Sequence, residues 1–231
     1  MTRDIALIVG AGSGLSASLA RLFAGEGMSV ALAARNIDKL ATLARQTGAL
    51  TMACDTVEPA QVEALFAEVS RKLGSPSVVV YNAGRRLRGA IETLDPAEVH
   101  RAWLASCFGG FLVGQQAARA MLAAGSGTIL FTGATASVKA FAQSAAFAMG
   151  KFGLRALAQS MARELAPKNI HVAHIVIDGG IASSYANTPQ DRASDRFLDP
   201  DAIAREYLRL IRQHRSAWSW ELELRPWTES F

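Results

Sequence analysis

Short apolar runs alternate along this chain with longer segments in which apolar residues recur every three or four positions. The short runs are apolar throughout, which is typical of strands in a parallel sheet that is covered on both faces. Seven strands are predicted, at residues 5–9, 29–33, 50–54, 78–81, 128–132, 170–176 and 221–224. Helical spacing follows the first strand, at Leu15, Leu19, Leu22 and Phe23.

The order of these segments predicts the fold. Asp95, Pro96 and Glu98 form a helix-start signal, and this helix is expected to run to about residue 123. A second long helix is expected over residues 143–165. The repeated strand–helix–strand order predicts an α/β fold, a doubly wound, Rossmann-type parallel sheet of about seven strands with helices on both faces. No linker or repeat interrupts it, so residues 1–231 are expected to form a single domain.

Composition excludes several classes of protein. The chain has 231 residues, of which 50% are hydrophobic and 19% charged, and this balance excludes a disordered protein. Two cysteines, Cys54 and Cys107, are too few for a disulfide scaffold and are expected to be free thiols. The basic residues behind the net charge of +4 are spread along the chain, so no nucleic-acid partner is expected.

The location of the protein is predicted from its apolar runs. None is long enough to cross a bilayer, so no membrane association is expected. Residues 3–24 share a basic start and an apolar stretch with signal peptides. However, Asp4 lies in what would be the basic region and three glycines interrupt the apolar part, so a strand, a turn and a helix fit better. The protein is therefore expected to be cytoplasmic.

A glycine-rich segment follows the first predicted strand directly and precedes a helix. Such a turn lets backbone N–H groups approach a pyrophosphate, and the helix N-terminus adds a partial positive charge. The alternative is a turn that needs glycine for its geometry only. Three alternating glycines at this position favour a dinucleotide site. The residues expected to bind the cofactor here are Gly10, Gly12, Ser13, Gly14 and Leu15.

The end of the second strand distinguishes the two nicotinamide dinucleotides. An NAD site usually has an acidic residue here that binds the ribose 2′-hydroxyl. This chain has Arg35 and Asn36, and no acidic residue before Asp38. Because Arg35 can pair with a 2′-phosphate, NADP(H) is predicted as the cofactor in preference to NAD(H). The alternative is that Arg35 is a solvated turn residue.

These motifs together resemble the short-chain dehydrogenase/reductase family over nearly the whole chain. Ser16 stands where the family has the last glycine of its turn, and the segments 54–56 and 82–84 resemble its Asp and Asn-Ala-Gly motifs. The resemblance implies that Asp55 binds the adenine amine and that the segment from Asn82 shapes the wall of the cofactor groove. The further cofactor-binding residues expected on this basis are Asp55, Thr56, Asn82, Ala83, Gly84 and Ile181.

The catalytic positions depart from the family pattern. The family places a Tyr and a Lys four residues apart on a helix, a Ser thirteen residues before the Tyr, and an Asn on the preceding long helix. Lys151 matches the Lys, but Phe147 stands at the Tyr position, Ala134 at the Ser position and Ser106 at the Asn position. The resemblance implies that Lys151 binds the nicotinamide ribose. Phe147 has no hydroxyl and cannot transfer a proton.

Three hypotheses follow. In the first, the protein is an NADP(H)-dependent oxidoreductase acting on a small carbonyl, alcohol, C=C or C=N substrate. Its proton donor is then non-standard, the candidates being Tyr185, Thr135, Ser137, or Lys151 through a water. In the second, the protein binds dinucleotide without catalysis, as a sensor or partner subunit. The third, a structural role with an empty groove, is least favoured because it leaves the cofactor motifs unexplained.

Three arginines and two histidines are further candidate site residues. Arg85, Arg86 and Arg88 follow the Asn-Ala-Gly motif, and a solvated basic turn is favoured over attraction of an anionic substrate. His171 and His174 have a spacing that puts them on opposite faces of a strand, so no metal site is predicted.

The remaining features concern the substrate loop and assembly. Asp178 is considered as an acid near the nicotinamide, although a turn-forming role is favoured. The irregular stretch 178–199 is expected to be functional. The resemblance implies a homodimer or homotetramer. Three roles are open for the Trp-rich segment 218–227. It covers a partner subunit, it covers the cleft, or it packs on its own sheet.

Overall fold

The computed structural model describes residues 4–182, 188 and 195–229. Within these residues one sheet contains seven strands, each bounded within one residue of its predicted range. They are β1 (Ile5–Val9), β2 (Ser29–Ala34), β3 (Leu50–Ala53), β4 (Val78–Tyr81), β5 (Gly127–Thr132), β6 (Ile170–Ile177) and β7 (Glu221–Leu224).

The strands are parallel and follow the order β3-β2-β1-β4-β5-β6-β7. The chain runs outward from β1 to β3, crosses back to β4 on the other side of β1, and runs outward again to β7. Val9 accordingly pairs with Ala33 on one side and with Tyr81 on the other. Open α/β sheets bind ligands at such a switch point. The predicted doubly wound fold is confirmed.

Helices connect the strands and cover both faces of the sheet. They are α1 (Leu15–Gly25), α2 (Ala41–Thr47), α3 (Pro59–Lys72), α4 (Pro96–Trp103), α5 (Gly109–Ala124), α6 (Ala145–Leu165) and α7 (Pro200–Ile211). A π-helical turn, Leu104–Phe108, joins α4 to α5, so the long helix predicted from Asp95 is interrupted. Asp95 caps α4 as expected, its carboxylate accepting a hydrogen bond of 3.0 Å from the N–H of Ala97. No helix in the described ranges is long and apolar enough to span a bilayer.

The core consists of two apolar layers, one on each face of the sheet. Buried side chains of α3, α5 and α6 pack on one face, where Leu154 is fully buried. Buried side chains of α1, α2 and α7 pack on the other, where Leu19 is fully buried. Tyr81 and Phe131 meet edge to face in the first layer, with ring centroids 6.3 Å apart. Burial on both faces explains why the strand sequences show no polar alternation.

The Trp-rich segment packs mainly on its own sheet. Trp218 stacks on His171 with ring centroids 4.8 Å apart, and Trp220 lies under the guanidinium of Arg155. Trp227 points away from this packing and is 82% exposed. Of the three alternatives, the structure therefore shows packing on the sheet for two of the three Trp residues.

The two histidines of β6 lie on opposite faces, as their spacing predicts. His174 is buried beside α6, and its Nδ1 lies 3.1 Å from a carboxylate oxygen of Glu221, which Arg155 holds with two hydrogen bonds. Burial lowers the pKa of His174 to about 4, so its ring is neutral near pH 7. Within the part of the chain that the structure describes, no group of His, Cys, Asp and Glu forms a candidate metal site.

A buried ion pair joins the ends of β6 and β7. Arg225 Nη2 lies 2.6 Å from Asp178 Oδ2 and also 2.6 Å from Glu223 Oε1. The Asp178 side chain is 3% exposed, whereas that of Glu223 is 41% exposed. Asp178 is thus committed to this pair, which disfavours the hypothesis that it serves as a free acid at the nicotinamide.

We expect the two carboxylates to differ in their effect on stability, although they share one arginine. Asp178→Asn should lower the free energy of unfolding by about 1.5–3 kcal/mol, because it replaces the buried charged acceptor of Arg225 with a neutral one. The control Glu223→Gln should change it by about 0–1 kcal/mol, since that carboxylate is exposed. Urea denaturation measures both, and equal effects would contradict the assignment.

Candidate active site

The turn after β1 can only be made with glycine at position 10. Gly10 has a φ of +84°, and a side-chain Cβ on it would overlap the backbone of Ala83. The N–H groups of Gly10 and Ala11 both donate to the carbonyl of Ala33 at 2.9 Å. The glycine-rich turn is therefore packed directly on the Asn-Ala-Gly segment, as both motifs require if they form one groove.

Ser16 explains how the chain dispenses with the last glycine of the motif. Its hydroxyl donates to the carbonyl of Gly10 at 3.2 Å and accepts a hydrogen bond of 2.7 Å from the Asn82 amide. Ser16 is buried, so these bonds are shielded from water. Asn82 thus fixes the glycine-rich turn relative to β4, and this side chain shapes the wall of the groove.

The N-terminus of α1 is suited to a phosphate group. Helix α1 begins at Leu15, and no side chain caps it at Gly14. Its first turn contains no acidic residue that would repel an anion. The first N–H groups of a helix and its dipole both attract phosphate. The residues present therefore fit the pyrophosphate of a dinucleotide, with Gly12 and Ser13 in the turn and the Leu15 side chain buried in the core.

The end of β2 presents a positive charge at the same edge of the sheet. Arg35 is exposed there, and no ion pair involving it is found in the described ranges. Asn36 is also exposed, and its side-chain oxygen accepts a hydrogen bond of 3.0 Å from the N–H of Asp38. The Asn36 side chain therefore closes the turn, while Arg35 extends toward solvent.

The Asp motif follows β3. Asp55 is half-buried, and its carboxylate accepts a hydrogen bond of 3.3 Å from the N–H of Val57. Thr56 is buried, and its hydroxyl interacts with that of Tyr81 in the protein interior. The adenine-binding role of Asp55 and the cofactor contact of Thr56 remain predictions.

Lys151 is the most unusual charged group of the site. It lies on α6, is only 6% exposed, and its Nζ donates a hydrogen bond of 2.8 Å to the carbonyl of Thr132 at the end of β5. Burial penalises its ammonium form and lowers the pKa of Lys151 to about 8. A lysine at this pKa exists in both protonation states near neutral pH.

The four positions of the family's catalytic groups come together around this lysine. A Cβ on Gly84 would lie 3.5 Å from both Lys151 Nζ and Ser106 Oγ, an ordinary contact distance, so both groups lie beside Gly84. Ser106 Oγ accepts a hydrogen bond of 3.2 Å from the N–H of Arg85. Ala134 and Phe147 line the same cleft as Lys151. Lys151, Ala134 and Phe147 thus line one cleft and Ser106 lies beside Gly84, while their equivalence to the family's catalytic positions remains a prediction.

The cleft has a volume of about 670 Å³. Its walls combine backbone of the cofactor turns with aromatic and basic side chains. Residues that the sequence singled out and that line it include Asn82, Ala83, Gly84, Arg86, Arg88, Ala134, Thr135, Phe147, Lys151 and Ile181. Sequence reasoning missed Phe141, Ser144, Phe197 and Glu229, which also line it. Of these four residues, only Ser144 lies at a position that the sequence distinguishes, the predicted start of the second long helix.

Hydroxyl groups of the cleft are mostly engaged in local structure. Ser137 Oγ accepts a hydrogen bond from the N–H of Ala134, and Ser144 Oγ donates to the carbonyl of Phe141 at 2.7 Å. Thr135 is half-buried on the cleft wall. Ser144 and Ser137 therefore shape the turns before α6, which leaves Thr135 and Lys151 as candidate proton carriers among the residues described.

The tyrosines offer no substitute for the lost hydroxyl in the part of the chain that is described. Tyr81 is fully buried and donates to the carbonyl of Ala105 at 2.6 Å. Tyr207 is fully buried on the other side of the sheet, where its hydroxyl lies 2.8 Å from Thr132 Oγ1. Burial raises the pKa of both hydroxyls above the ordinary tyrosine value. Tyr185, the third candidate, lies outside the described residues.

Comparison with known proteins decides the family. The family model for short chain dehydrogenases matches residues 4–192, which is most of the chain. The chain belongs to the short-chain dehydrogenase family. The resemblance drawn from the glycine, Asp and Asn-Ala-Gly motifs is confirmed, and the protein is a member of a family of oxidoreductases that bind nicotinamide dinucleotides.

Individual relatives agree with this assignment. A solved short-chain dehydrogenase from Rhodopseudomonas palustris is 37% identical and has a TM-score of 0.84, with 97% of this chain and 99% of that chain covered. A metagenomic short-chain oxidoreductase solved in complex with NADP is 27% identical, with a TM-score of 0.83 and coverage of 96% and 97%. The cis-4-hydroxycyclohexanecarboxylate dehydrogenase of Sinomonas cyclohexanicum is 32% identical over 190 residues, which are 80% of this chain and 74% of that protein.

Adding a methyl group should reduce the stability of the protein much more at Gly10 than at Gly12. Gly10→Ala should lower the free energy of unfolding by about 2–4 kcal/mol, because it combines overpacking against Ala83 with a left-handed backbone. Gly12→Ala is the control, since a Cβ there meets nothing within 4 Å, and it should cost less than about 1 kcal/mol. Thermal or urea unfolding measures the difference. A Gly10→Ala protein as stable as the wild type would refute the packing of this turn.

Proposed function

We propose that this short-chain dehydrogenase is an NADP(H)-dependent oxidoreductase acting on a small carbonyl or alcohol substrate, with Lys151 as its proton carrier. The observation that carries the proposal is the burial of Lys151 in a cleft that Phe147 also lines, with its ammonium held by one backbone carbonyl. A bound nicotinamide supplies the hydride. The protein must then supply one proton to the substrate oxygen.

Lys151 can perform that proton transfer without a tyrosine. In reduction, its ammonium donates a proton to the oxygen of the substrate, directly or through a water, and becomes a neutral amine. In oxidation, the neutral amine accepts the proton of the alcohol. A pKa of about 8 suits both directions, because efficient general acids and bases have pKa values near the working pH. Thr135 stays the second candidate.

The choice of NADP(H) rests on the end of β2. Arg35 offers an exposed guanidinium to a 2′-phosphate, and Asn36 keeps this turn free of an acidic side chain at the next position. The solved metagenomic relative that contains NADP supports the same choice. The expected cofactor contacts of Asp55, Thr56, Leu15 and Ile181 belong to this proposal.

Removing the positive charge at position 35 should change the cofactor preference. Arg35→Gln should raise the Kd of NADPH at least about tenfold, which corresponds to the loss of one charge-assisted pair, and should leave the Kd of NADH within about twofold. Arg45→Gln on α2 removes an equal charge from an exposed position and is the matched control. Quenching of protein fluorescence by each dinucleotide gives the Kd values. Tighter binding of NADH than of NADPH by the wild type would contradict the proposal.

The proton-carrying role of Lys151 makes the two reaction directions respond oppositely to pH. The kcat/KM for reduction should be constant below pH 8 and fall about tenfold per unit above it, because the ammonium form is lost. The kcat/KM for oxidation should rise up to pH 8 and then level off. Lys151→Met should lower kcat by about 10²- to 10⁴-fold, while the exposed Lys139→Met should leave it unchanged. Profiles that stay flat to pH 10 would exclude Lys151.

A second candidate function is dinucleotide binding without turnover. Phe147 and Ala134 favour it, since both remove hydroxyls that the family uses. A screen of ketones, alcohols, enones and imines with NADPH and NADP⁺ separates the two candidates. Turnover above the rate of the free cofactor excludes the binding-only function, and binding without any turnover supports it.

The proposal extends to assembly as a homodimer or homotetramer. It is supported by apolar side chains that α5 and α6 leave exposed, namely Phe111, Leu122, Met149 and Phe152. Small residues on the same helices permit close packing between copies, as expected from the family resemblance. A cytoplasmic location remains a prediction.

A further inference from the structure

The lining of the cleft includes a polar and an aromatic set of residues. Lys151 and the Asn-Ala-Gly segment belong to the polar set, next to the predicted nicotinamide position. The aromatic set consists of Phe141, Phe147 and Phe197, of which Phe147 lies one helical turn from Lys151 on α6. With the family tyrosine replaced by Phe147, this aromatic set suits the apolar ring or chain of a substrate.

Two arginines interrupt the apolar lining. Arg86 and Arg88 both line the cleft, whereas the neighbouring Arg85 is paired with Glu98 on α4. Arg88 is exposed, and the described ranges contain no carboxylate paired with it. Its charge is therefore available to a ligand that enters the cleft.

A backbone hydrogen bond holds the segment next to Arg88 near Phe141. The N–H of Gly89 donates to the carbonyl of Gln143 at 3.0 Å. This bond joins the arginine segment to the loop that carries Phe141 and Ser144 into the cleft. The backbone next to Arg88 is thus held beside the predicted substrate-binding wall, far along the chain from the glycine-rich turn that fits the pyrophosphate.

The balance of charge in the cleft favours an anion. Apart from Arg86, which has other interactions, its described lining contains two basic residues, Arg88 and Lys151, and one acidic residue, Glu229. Asp178 does not add a negative charge to the cleft, because its buried carboxylate is paired with Arg225. A cleft lined mainly by one sign of charge attracts ligands of the opposite sign.

We propose that the substrate carries a carboxylate on an apolar ring or chain, and that Arg88 binds this carboxylate while Phe141 and Phe147 contact the apolar part. Arginine binds planar carboxylates with two parallel hydrogen bonds. The aromatic walls favour a singly charged carboxylate over a doubly charged phosphate, whose desolvation costs more. This inference rests on the proposed function, and it specifies the substrate class of that site.

Binding to the protein saturated with NADPH tests the inference. The probes are benzoate and its neutral analogue benzamide, which share one ring and differ in charge, together with phenyl phosphate. Isothermal titration should give a Kd for benzoate at least about tenfold lower than for benzamide or phenyl phosphate. Arg88→Gln should remove this preference and leave the Kd of benzamide and of NADPH within about twofold. The control Arg85→Gln, whose side chain pairs with Glu98, should retain it.

The outcomes separate the inference from the function on which it rests. Failure of the wild type to bind NADPH would overturn the proposed function. Binding of NADPH with no preference for benzoate would overturn the inference alone, as would a preference that survives Arg88→Gln. Tighter binding of phenyl phosphate than of benzoate would also overturn it, because the anionic group would then be a phosphate.

Discussion

The site depends on one interaction, the burial of the Lys151 ammonium against the carbonyl of Thr132. A buried charge is costly unless protein groups replace its water, and here one backbone carbonyl is the hydrogen-bond partner that the structure provides. This desolvation cost lowers the pKa of Lys151 to about 8. In the family pattern a tyrosine hydroxyl would lie near this lysine, whereas Phe147 contributes only an apolar ring. In the proposed mechanism, Lys151 supplies the proton that the tyrosine supplies in the family pattern.

The surrounding fold explains why the lysine can be held there. Parallel strands bring the turns after β1, β4 and β5 to one edge of the sheet, and α6, which packs on one face, directs Lys151 to the end of β5. Lys151 and Ser106 both lie beside Gly84, and Gly10 lets the glycine-rich turn pack against Ala83. Beyond β6, the buried pair of Asp178 and Arg225 ties the C-terminal strand to the end of the cleft.

Local signals in the sequence were sufficient for the fold and the family, and the cofactor-binding residues that they indicate remain predictions. Apolar runs marked each strand within one residue, and Asp95 marked the start of α4. The position of Lys151 followed from spacing, but its pKa did not, because burial is set by elements far apart in the chain. Phe197 reaches the cleft across a loop without periodicity, and Arg225 meets Asp178 across 47 residues. Neither contact leaves a local trace in the sequence.

The proposed mechanism requires Lys151 to be a desolvated amine that titrates near neutral pH. Its most direct test is an NMR titration of the protein labelled with ¹³C at lysine Cε, with the Lys151 resonance assigned by its absence in Lys151→Arg. The account predicts a midpoint near pH 8 for this resonance alone, displaced from the exposed lysines. A midpoint near the ordinary lysine value of 10.5 would contradict it, because the ammonium would then be too stable to exchange its proton during catalysis.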